Sequence, residues 1–350
     1  MNRRDFLWTG AALAAGAFHA HGHSHSHGHF HDTSFELAAA GPATPPDSQP
    51  APAGPIVSGA GDFRYQYIPE KLPLPPEVKM RHGHGLCHDA EGNIYFTFEP
   101  EKVEPDTRCL VRYAPEGTNP VLLGPDNALA FGAPHGLNID LHNGQPVLYH
   151  ANNAATVHKT TLDGQILWTQ KWPAQMGNYK PTDAVAPPAS DRVLIADGYG
   201  SSMIHALQAS DGVYAGKSWG GTGAGHGELN CPHGIAYDPR RKLMLTADRG
   251  NRRLEYFNLN GSYHSSITAR EITAPCNADI RGDHVLVPDL DGPLVILDGD
   301  NRVVSVIEVG KLLGAQGFKH PHDAIWLPNG DIAVCTWNPG RIGYWQKLPA

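Results

Sequence analysis

The feature that most constrains the fold is a short motif that recurs six times along the chain. Each copy heads a strand-like run, and the second residues of neighbouring copies are 43 to 51 residues apart. The six copies are Gly83-His84-Gly85-Leu86, Pro134-His135-Gly136-Leu137, Pro181-Thr182-Asp183-Ala184, Pro232-His233-Gly234-Ile235, Pro275-Cys276-Asn277-Ala278 and Pro321-His322-Asp323-Ala324. Repeats of this length, each holding several strands, are typical of propeller blades. The sequence therefore predicts an all-β fold, a six-bladed β-propeller with four-stranded blades around a central channel.

The fourth repeat shows most clearly how one blade is built. Its four predicted strands are residues 235–238, 243–247, 253–258 and 263–268. Asn260-Gly261, before the last of them, is a strong signal for a tight hairpin turn. We expect Phe63 to Tyr67 to pair with Arg341 to Trp345 and close the ring, because closure removes the exposed sheet edges. An open two-sheet sandwich is the competing architecture, but it does not explain six equivalent motif positions.

Composition supports many short strands and argues against two classes of partner. The 350 residues include 39 glycines and 30 prolines, an excess that favours tight turns over long helices. The net charge of -8 argues against a general binder of nucleic acid or of anionic membranes. No apolar run reaches the roughly 18 residues that a membrane span needs.

The N-terminal residues predict export rather than a folded segment. Arg3-Arg4-Asp5-Phe6-Leu7 and the apolar stretch that follows resemble a twin-arginine signal, so we interpret residues 1–17 as an export signal and expect a periplasmic or secreted protein. The five cysteines would then meet an oxidising compartment, and an odd number leaves at least one of them unpaired.

A histidine-rich segment and a linker follow the signal. Histidine occupies every second position from His19 to His31, and such a tract can bind zinc, nickel or copper ions. We therefore predict a metal-binding tail at residues 18–37. Residues 38–61 are rich in Ala, Pro and Gly and read as a disordered linker, which leaves residues 62–350 for the propeller.

The recurring motif also predicts a cluster of metal ligands. The first strand of each blade lies nearest the axis, so equivalent residues at the start of these strands form a ring. The predicted ring consists of His84, His135, Thr182, His233, Cys276 and His322. Three neutral imidazoles suit a tetrahedral zinc ion with one open position, although copper and nickel stay open as alternatives. Strand alternation also places His82 and His88 in phase with His84, so the first blade could supply an extra ligand.

Several segments carry a resemblance to a known family. They are 134–140, 196–202, 232–236, 247–251 and 321–323, within a similarity that spans residues 80–345. With these segments the sequence resembles the NHL-repeat propellers and, more specifically, is similar to the catalytic domain of peptidyl-α-hydroxyglycine α-amidating lyases.

The resemblance implies roles for individual residues. It implies that the catalytic zinc is bound by His135, His233 and His322. Tyr199 would act as the base or the hydrogen-bond partner of the substrate hydroxyl, and Arg249 would hold a substrate carboxylate. Asp323, with backbone carbonyls near Gly83 and Leu137, would match a structural calcium position.

Two positions depart from the family pattern. Glu99 lies near the place of a second substrate-binding arginine in the first blade, and the imidazole of His84 replaces a serine. The departure at Glu99 makes a peptide-amidating role harder to infer than the metal chemistry.

Two functions of different classes follow. The first is a metal-dependent, lyase-like enzyme that breaks a C–N or C–O bond in a small hydroxylated, carboxylate-bearing substrate, with Tyr199 taking the hydroxyl proton. The alternative is a non-catalytic NHL propeller that binds a metal, a sugar or a protein, because fold alone does not decide function.

Overall fold

The strands pair into six antiparallel sheets, each built mainly from consecutive segments of the chain. The computed structural model describes residues 54–124, 127–171, 177–188 and 190–349. The predicted export signal, the histidine-rich tail and most of the predicted linker lie outside these residues. Within them, no helix is long and apolar enough to cross a membrane.

Five of the sheets described have four strands and the sixth has five. Two strands precede the blades, β1 (Val57–Ala60) and β2 (Phe63–Ile68). Blade one contains β3 (Met80–His88), β4 (Ile94–Pro100), β5 (Leu110–Tyr113) and β6 (Val121–Leu123). Blade two contains β7 (Pro134–His142), β8 (Gln145–Asn152), β9 (Thr156–Thr160) and β10 (Ile166–Lys171). Blade three contains β11 (Asp183–Val185), β12 (Arg192–Asp197), β13 (Met203–Gln208) and β14 (Tyr214–Gly220).

The second half of the chain continues the same order. Blade four contains β15 (Pro232–Asp238), β16 (Leu243–Asp248), β17 (Arg253–Phe257) and β18 (Tyr263–Ile267). Blade five contains β19 (Asp279–Arg281), β20 (His284–Pro288), β21 (Leu294–Leu297) and β22 (Val303–Ile307). Blade six contains β23 (Pro321–Trp326), β24 (Ile332–Thr336) and β25 (Arg341–Lys347). The short helices described are α1 (Val309–Leu313) and the 3-10 turns Arg249–Asn251 and Gly314–Gln316. The six-bladed propeller predicted from the repeat is confirmed.

The ring closes as the sequence predicts. Strand β2 pairs antiparallel with β25, with Tyr67 opposite Trp345, so the N-terminal strand completes blade six. One boundary differs from the prediction. Val57–Ala60 falls in the segment predicted as linker, yet it forms β1 and pairs with β2, which makes blade six five-stranded. The small residues of this segment give it the composition of a linker, but the free edge of β2 makes strand pairing with it favourable.

The apolar core lies between neighbouring blades and not on the axis. Each of the six buried clusters draws its strand residues from two adjacent blades. In one of them, Tyr149 and Val157 of blade two share a cluster with Val193 and Ile195 of blade three. Because both faces of each sheet are covered in this way, the inner strand ends are free to carry polar side chains toward the channel.

Candidate metal centre

The six predicted ring residues all line one small cavity at the starts of the inner strands. They are His84, His135, Thr182, His233, Cys276 and His322, and none is more than 4% exposed. The repeat therefore places side chains that are far apart in sequence around one point, as the propeller geometry predicts.

Three of the four histidines are oriented by the neighbouring blade. Nδ1 of His135 donates to the carbonyl of Thr182 at 2.6 Å, and Nδ1 of His233 donates to the carbonyl of Cys276 at 2.8 Å. Nδ1 of His322 donates to the carbonyl of His84 at 2.9 Å. Since a carbonyl oxygen only accepts, each Nδ1 carries the proton and each Nε2 presents a lone pair. This tautomer is the one that a metal-ligating imidazole requires.

The glycine after a ring histidine makes this orientation sterically feasible. A Cβ at Gly136 would lie 2.4 Å from Oδ1 of Asp183, and a Cβ at Gly234 would lie 2.5 Å from the carbonyl of Cys276. Both distances are shorter than any side chain tolerates, so only glycine lets the adjacent blades approach closely enough for the imidazole to reach its carbonyl.

The four imidazoles are packed against one another. Ring centroids are 4.6 Å apart for His84 and His135, 4.7 Å for His135 and His322, and 4.7 Å for His233 and His322. Burial, together with neighbouring imidazoles, lowers the pKa of His84 and His135 well below the usual range, and burial lowers the pKa of His322 to about 3. Burial and the charge of Arg249 also lower the pKa of His233. The cluster is therefore neutral near pH 7.

Several ring nitrogens of this cluster lack a hydrogen-bond partner. Within the described residues, both nitrogens of His84 and the Nε2 atoms of His135 and His322 are buried without a partner. Ligand atoms of these three residues all lie within 4.8 Å of one another. Leaving so many buried nitrogens unpaired costs free energy, and a transition metal would pair with one nitrogen of each of the three residues. The residues present therefore fit a metal ion.

Tyr199 and Arg249 form a polar arm beside the cluster. Tyr199 follows β12 in a loop that Asp197 holds by accepting the backbone N–H of Ser201 at 2.7 Å. The Tyr199 hydroxyl donates to Nε2 of His233 at 3.0 Å and accepts from Nη2 of Arg249 at 3.1 Å. Burial, opposed by the charge of Arg249, raises the pKa of Tyr199 to about 12, so its phenol is protonated at neutral pH. The structure brings these two predicted site residues together.

Sequence reasoning did not identify Cys231 as part of this arm. Nη2 of Arg249 lies 3.3 Å from Sγ of Cys231, and Nη1 lies 4.0 Å from Sγ of Cys276. All five cysteines fall within the described residues, and each is a free thiol. The position of Cys231 directly before the Pro232-His233 motif is the signal that could have indicated it.

The ring of His82 lies 6.2 Å from that of His84, but the group of possible metal ligands in the described residues includes neither His82 nor His88. His82 donates through Nδ1 to the backbone carbonyl of Trp337 at 3.0 Å. Its ring also stacks on the Trp337 side chain, with ring centroids 5.2 Å apart. His88 lies at the far end of β3 and contacts the carbonyl of Asp89 at 2.9 Å. Register shifts between residues 80 and 82 and between residues 83 and 85 break the alternation on which the prediction of an extra first-blade ligand depended.

Glu99 stands next to His84. Its Oε2 lies 3.9 Å from Nε2 of His84, while Oε1 accepts from Nη1 of Arg81 at 3.0 Å. A carboxylate thus borders the cluster on the first-blade side, and Arg249 borders it near His233. The cluster lies between groups of opposite charge.

Asp323 lines the same cavity, and its carboxylate is held by hydrogen bonds to groups other than the imidazoles. Its carboxylate accepts the backbone N–H of Leu86 at 2.8 Å and an amide N–H of Asn277 at 3.0 Å. Asp183, three blades away, mirrors it by accepting from the backbone N–H of Ile235 at 3.0 Å and from Asn138 at 2.8 Å. Burial raises the pKa of Asp323 well above its usual value and that of Asp183 to about 6. The shared motif position could have identified Asp183 as the second carboxylate; a calcium ion at Asp323 stays a prediction.

Comparisons with known proteins place this site in context. No family model matches the chain. A segment of 164 residues is 27% identical to peptidylglycine α-amidating monooxygenase of Rattus norvegicus, and it covers 44% of this chain and 16% of the rat protein. A segment of 136 residues is 29% identical to the peptidyl-glycine α-amidating monooxygenase of Mus musculus, covering 36% of this chain and 14% of the mouse protein. The matches span less than a fifth of these relatives.

Solved structures share the fold at low identity. A chain from the nidogen/laminin complex superposes with a TM-score of 0.51 at 15% identity, covering 74% of this chain and 94% of its own length. A catalytically inactive virginiamycin B lyase from Staphylococcus aureus, solved with quinupristin, gives a TM-score of 0.51 at 12% identity and covers 82% and 100% of the two chains. The chain is a six-bladed β-propeller with distant sequence similarity to peptidylglycine α-amidating monooxygenases.

Proposed function

We propose that this propeller is a metal-dependent, lyase-like enzyme acting on a small substrate that carries a hydroxyl group and a carboxylate. The observation that carries the proposal is the set of buried, unpartnered imidazole nitrogens that borders the Tyr199–Arg249 arm. A six-bladed propeller fits an enzyme and a binding protein alike, so the proposal depends on this site and not on the fold.

The groups of the site suit one type of substrate. Arg249 offers a charged fork that pairs with a carboxylate. Tyr199 lies within hydrogen-bond distance of both Arg249 and His233, so a substrate held by the arginine would bring a hydroxyl on the adjacent carbon close to the phenol. The distant relatives are named as peptidylglycine-amidating enzymes, which supports an α-hydroxyglycine derivative as the nearest substrate class.

The proposed reaction is the cleavage of a C–N bond at a carbinolamide. Tyr199 orients the substrate hydroxyl by a hydrogen bond, the C–N bond breaks, and nitrogen takes the bonding electron pair and the proton that the hydroxyl gives up. The hydroxyl-bearing carbon becomes an aldehyde, so an α-hydroxyglycine amide yields an amide and glyoxylate. A bound divalent metal would polarise the substrate hydroxyl and lower its pKa. Arg249 meanwhile holds the carboxylate and fixes which face of the carbon meets Tyr199.

Zinc is the proposed metal, with copper and nickel as alternatives, because an all-imidazole set accepts each of them. The histidine-rich segment at residues 18–37 would raise the local metal concentration for a protein exported to the periplasm or secreted. Calcium at Asp323 is proposed as a structural ion, for which its buried carboxylate is chemically suited.

A glyoxylate-release assay with small α-hydroxyglycine amides tests the proposal. Protein stripped with a chelator and then reloaded with zinc should regain turnover, while stripped protein should show none. A fully metal-loaded, folded protein that releases no glyoxylate would contradict this substrate class and favour a propeller that only binds a ligand.

A further inference from the structure

The four imidazoles of the cluster are not equivalent in the hydrogen bonds they already make. Nε2 of His233 accepts the Tyr199 hydroxyl at 3.0 Å. Nε2 of His135, Nε2 of His322 and both nitrogens of His84 are instead buried without a partner in the described part of the chain. Three histidines therefore have a free lone pair for a metal, and His233 does not.

The hydrogen-bond chain through His233 is complete and has only one direction. The carbonyl of Cys276 can only accept, so Nδ1 of His233 is the donor and Nε2 must be an acceptor. The Tyr199 hydroxyl consequently donates to Nε2, and its oxygen accepts the N–H of Arg249 at 3.1 Å. A metal on His233 would displace the phenol proton from its acceptor and break this chain.

Distances between ligand atoms agree with the same division. The ligand atoms of His84, His135 and His322 all lie within 4.8 Å of one another, and this group does not include His233. A tetrahedral ion with bonds of about 2.0–2.1 Å requires ligand atoms about 3.3 Å apart, so the three rings must move closer together to hold one. Centroid spacings alone do not discriminate, because His233 lies 4.7 Å from His322 and 4.8 Å from His135. His84 has no hydrogen bond that fixes its ring, so a small rotation can bring it into position.

We propose that the metal ligands are His84, His135 and His322, and that His233 instead holds the hydroxyl of Tyr199. This set differs by one member from His135, His233 and His322, the set that the family resemblance implies. Glu99, 3.9 Å from His84, puts a negative charge beside the new ligand and favours a bound cation there. The arrangement leaves Tyr199 next to the metal and oriented by His233 and Arg249. The ligand assignment depends on the proposed function, but the experimental result that would contradict the assignment differs from the result that would contradict the function.

Metal affinity of single glutamine variants separates the two ligand sets. Zinc binding would be measured by competition with a chromophoric chelator in a parent protein purified without added metal, in which the seven alternate histidines from His19 to His31 are replaced by glutamine so that this segment binds no zinc. We expect His84→Gln and His322→Gln to weaken binding by about 100-fold or more, and His233→Gln to stay within about threefold of the parent. His82→Gln is the matched control, because His82 lies on the same strand as His84 and binds the Trp337 carbonyl; it should retain the parent affinity.

A spectroscopic count of ligands keeps the test valid if a variant folds poorly. X-ray absorption of the zinc-loaded parent and of His233→Gln should report three imidazoles in both proteins. If His233→Gln loses zinc, or if its zinc has one imidazole ligand fewer than in the parent, the assignment is overturned. This holds whether or not His84→Gln also loses zinc. A parent protein that binds no zinc would overturn the assignment and the proposed function together, whereas loss in His233→Gln alone leaves the proposed function standing.

Discussion

Arg249 lies against Tyr199 in two ways at once. Its Nη2 is 3.1 Å from the tyrosine hydroxyl, and its guanidinium carbon lies 5.2 Å from the centroid of the tyrosine ring. The two residues come from different blades, each placed just after the second strand of its blade. In the proposed reaction, the role of Tyr199 toward the hydroxyl proton and the role of Arg249 toward the carboxylate would therefore be coupled, and a substitution at one residue should change the contacts of the other.

Removing the Tyr199 hydroxyl distinguishes catalysis from simple binding. Tyr199→Phe keeps the ring packing, and we expect turnover to fall by roughly 10²–10⁴-fold with unchanged metal content. In a protein that only binds a ligand, the change would cost about one hydrogen bond, ~0.5–1.5 kcal/mol of affinity. Turnover of any identified substrate at the parent rate would remove Tyr199 from the mechanism.

Arg249 should select substrates by their carboxylate. Arg249→Ala removes a charge-assisted contact, so kcat/KM for carboxylate-bearing substrates should fall by about 10-fold or more. Arg249→Lys keeps the charge but loses the planar fork, so its kcat/KM should lie between that of the parent and that of Arg249→Ala. Steady-state kinetics on paired substrates with a free carboxylate and with its amide would check this. Equal losses on both members of the pair would argue that Arg249 acts only by positioning Tyr199.

The close approach of blades four and five at Gly234 should tolerate no side chain. A Cβ there would lie 2.4 Å from Oδ1 of Asn277, so Gly234→Ala should lower the free energy of unfolding by ~1–3 kcal/mol. Gly299→Ala is the matched control, because the closest atoms to its Cβ are 3.7 Å away. Chemical denaturation of both variants is the measurement, and equal stability of the two would count against the proposed tight contact.

The buried carboxylate of Asp183 predicts a pH dependence with a defined sign. Burial raises its pKa in the folded protein to about 6, above the value of about 3.9 in an unfolded chain. Between these two pKa values the folded protein holds a proton on Asp183 that the unfolded chain has lost. The stability that this proton maintains is fully present below pH 4 and is lost as pH rises through 6. With calcium chelated, Asp183→Asn should gain stability relative to the parent between pH 4 and 7. A difference between the two proteins that does not change with pH would contradict the shifted pKa.

The sequence predicts the architecture and the ring because both depend on a repeated local pattern. One motif per blade fixes the start of each inner strand, and propeller symmetry then brings His84, His135, His233 and His322 together. The hydrogen bonds of the individual imidazoles depend on neighbouring backbone carbonyls, and no local pattern encodes them. The same applies to the bulges in β3, which interrupt the alternation between His84 and His88, and to the thiol of Cys231 beside Arg249.

The boundary of the domain illustrates a second limit of sequence analysis. Val57–Ala60 consists mostly of small residues and has a linker-like composition, yet it pairs with β2 at the edge of blade six. Its strand conformation depends on pairing with the edge of β2, which the composition of the segment does not indicate.

The most direct test of the account is the metal content of a variant that lacks residues 18–37, because the histidine-rich segment could otherwise supply the bound ion. A site of three buried imidazoles does not need that segment. Elemental analysis after purification without added metal should find about one tightly bound transition metal per chain. A well-folded but metal-free protein would contradict the central claim.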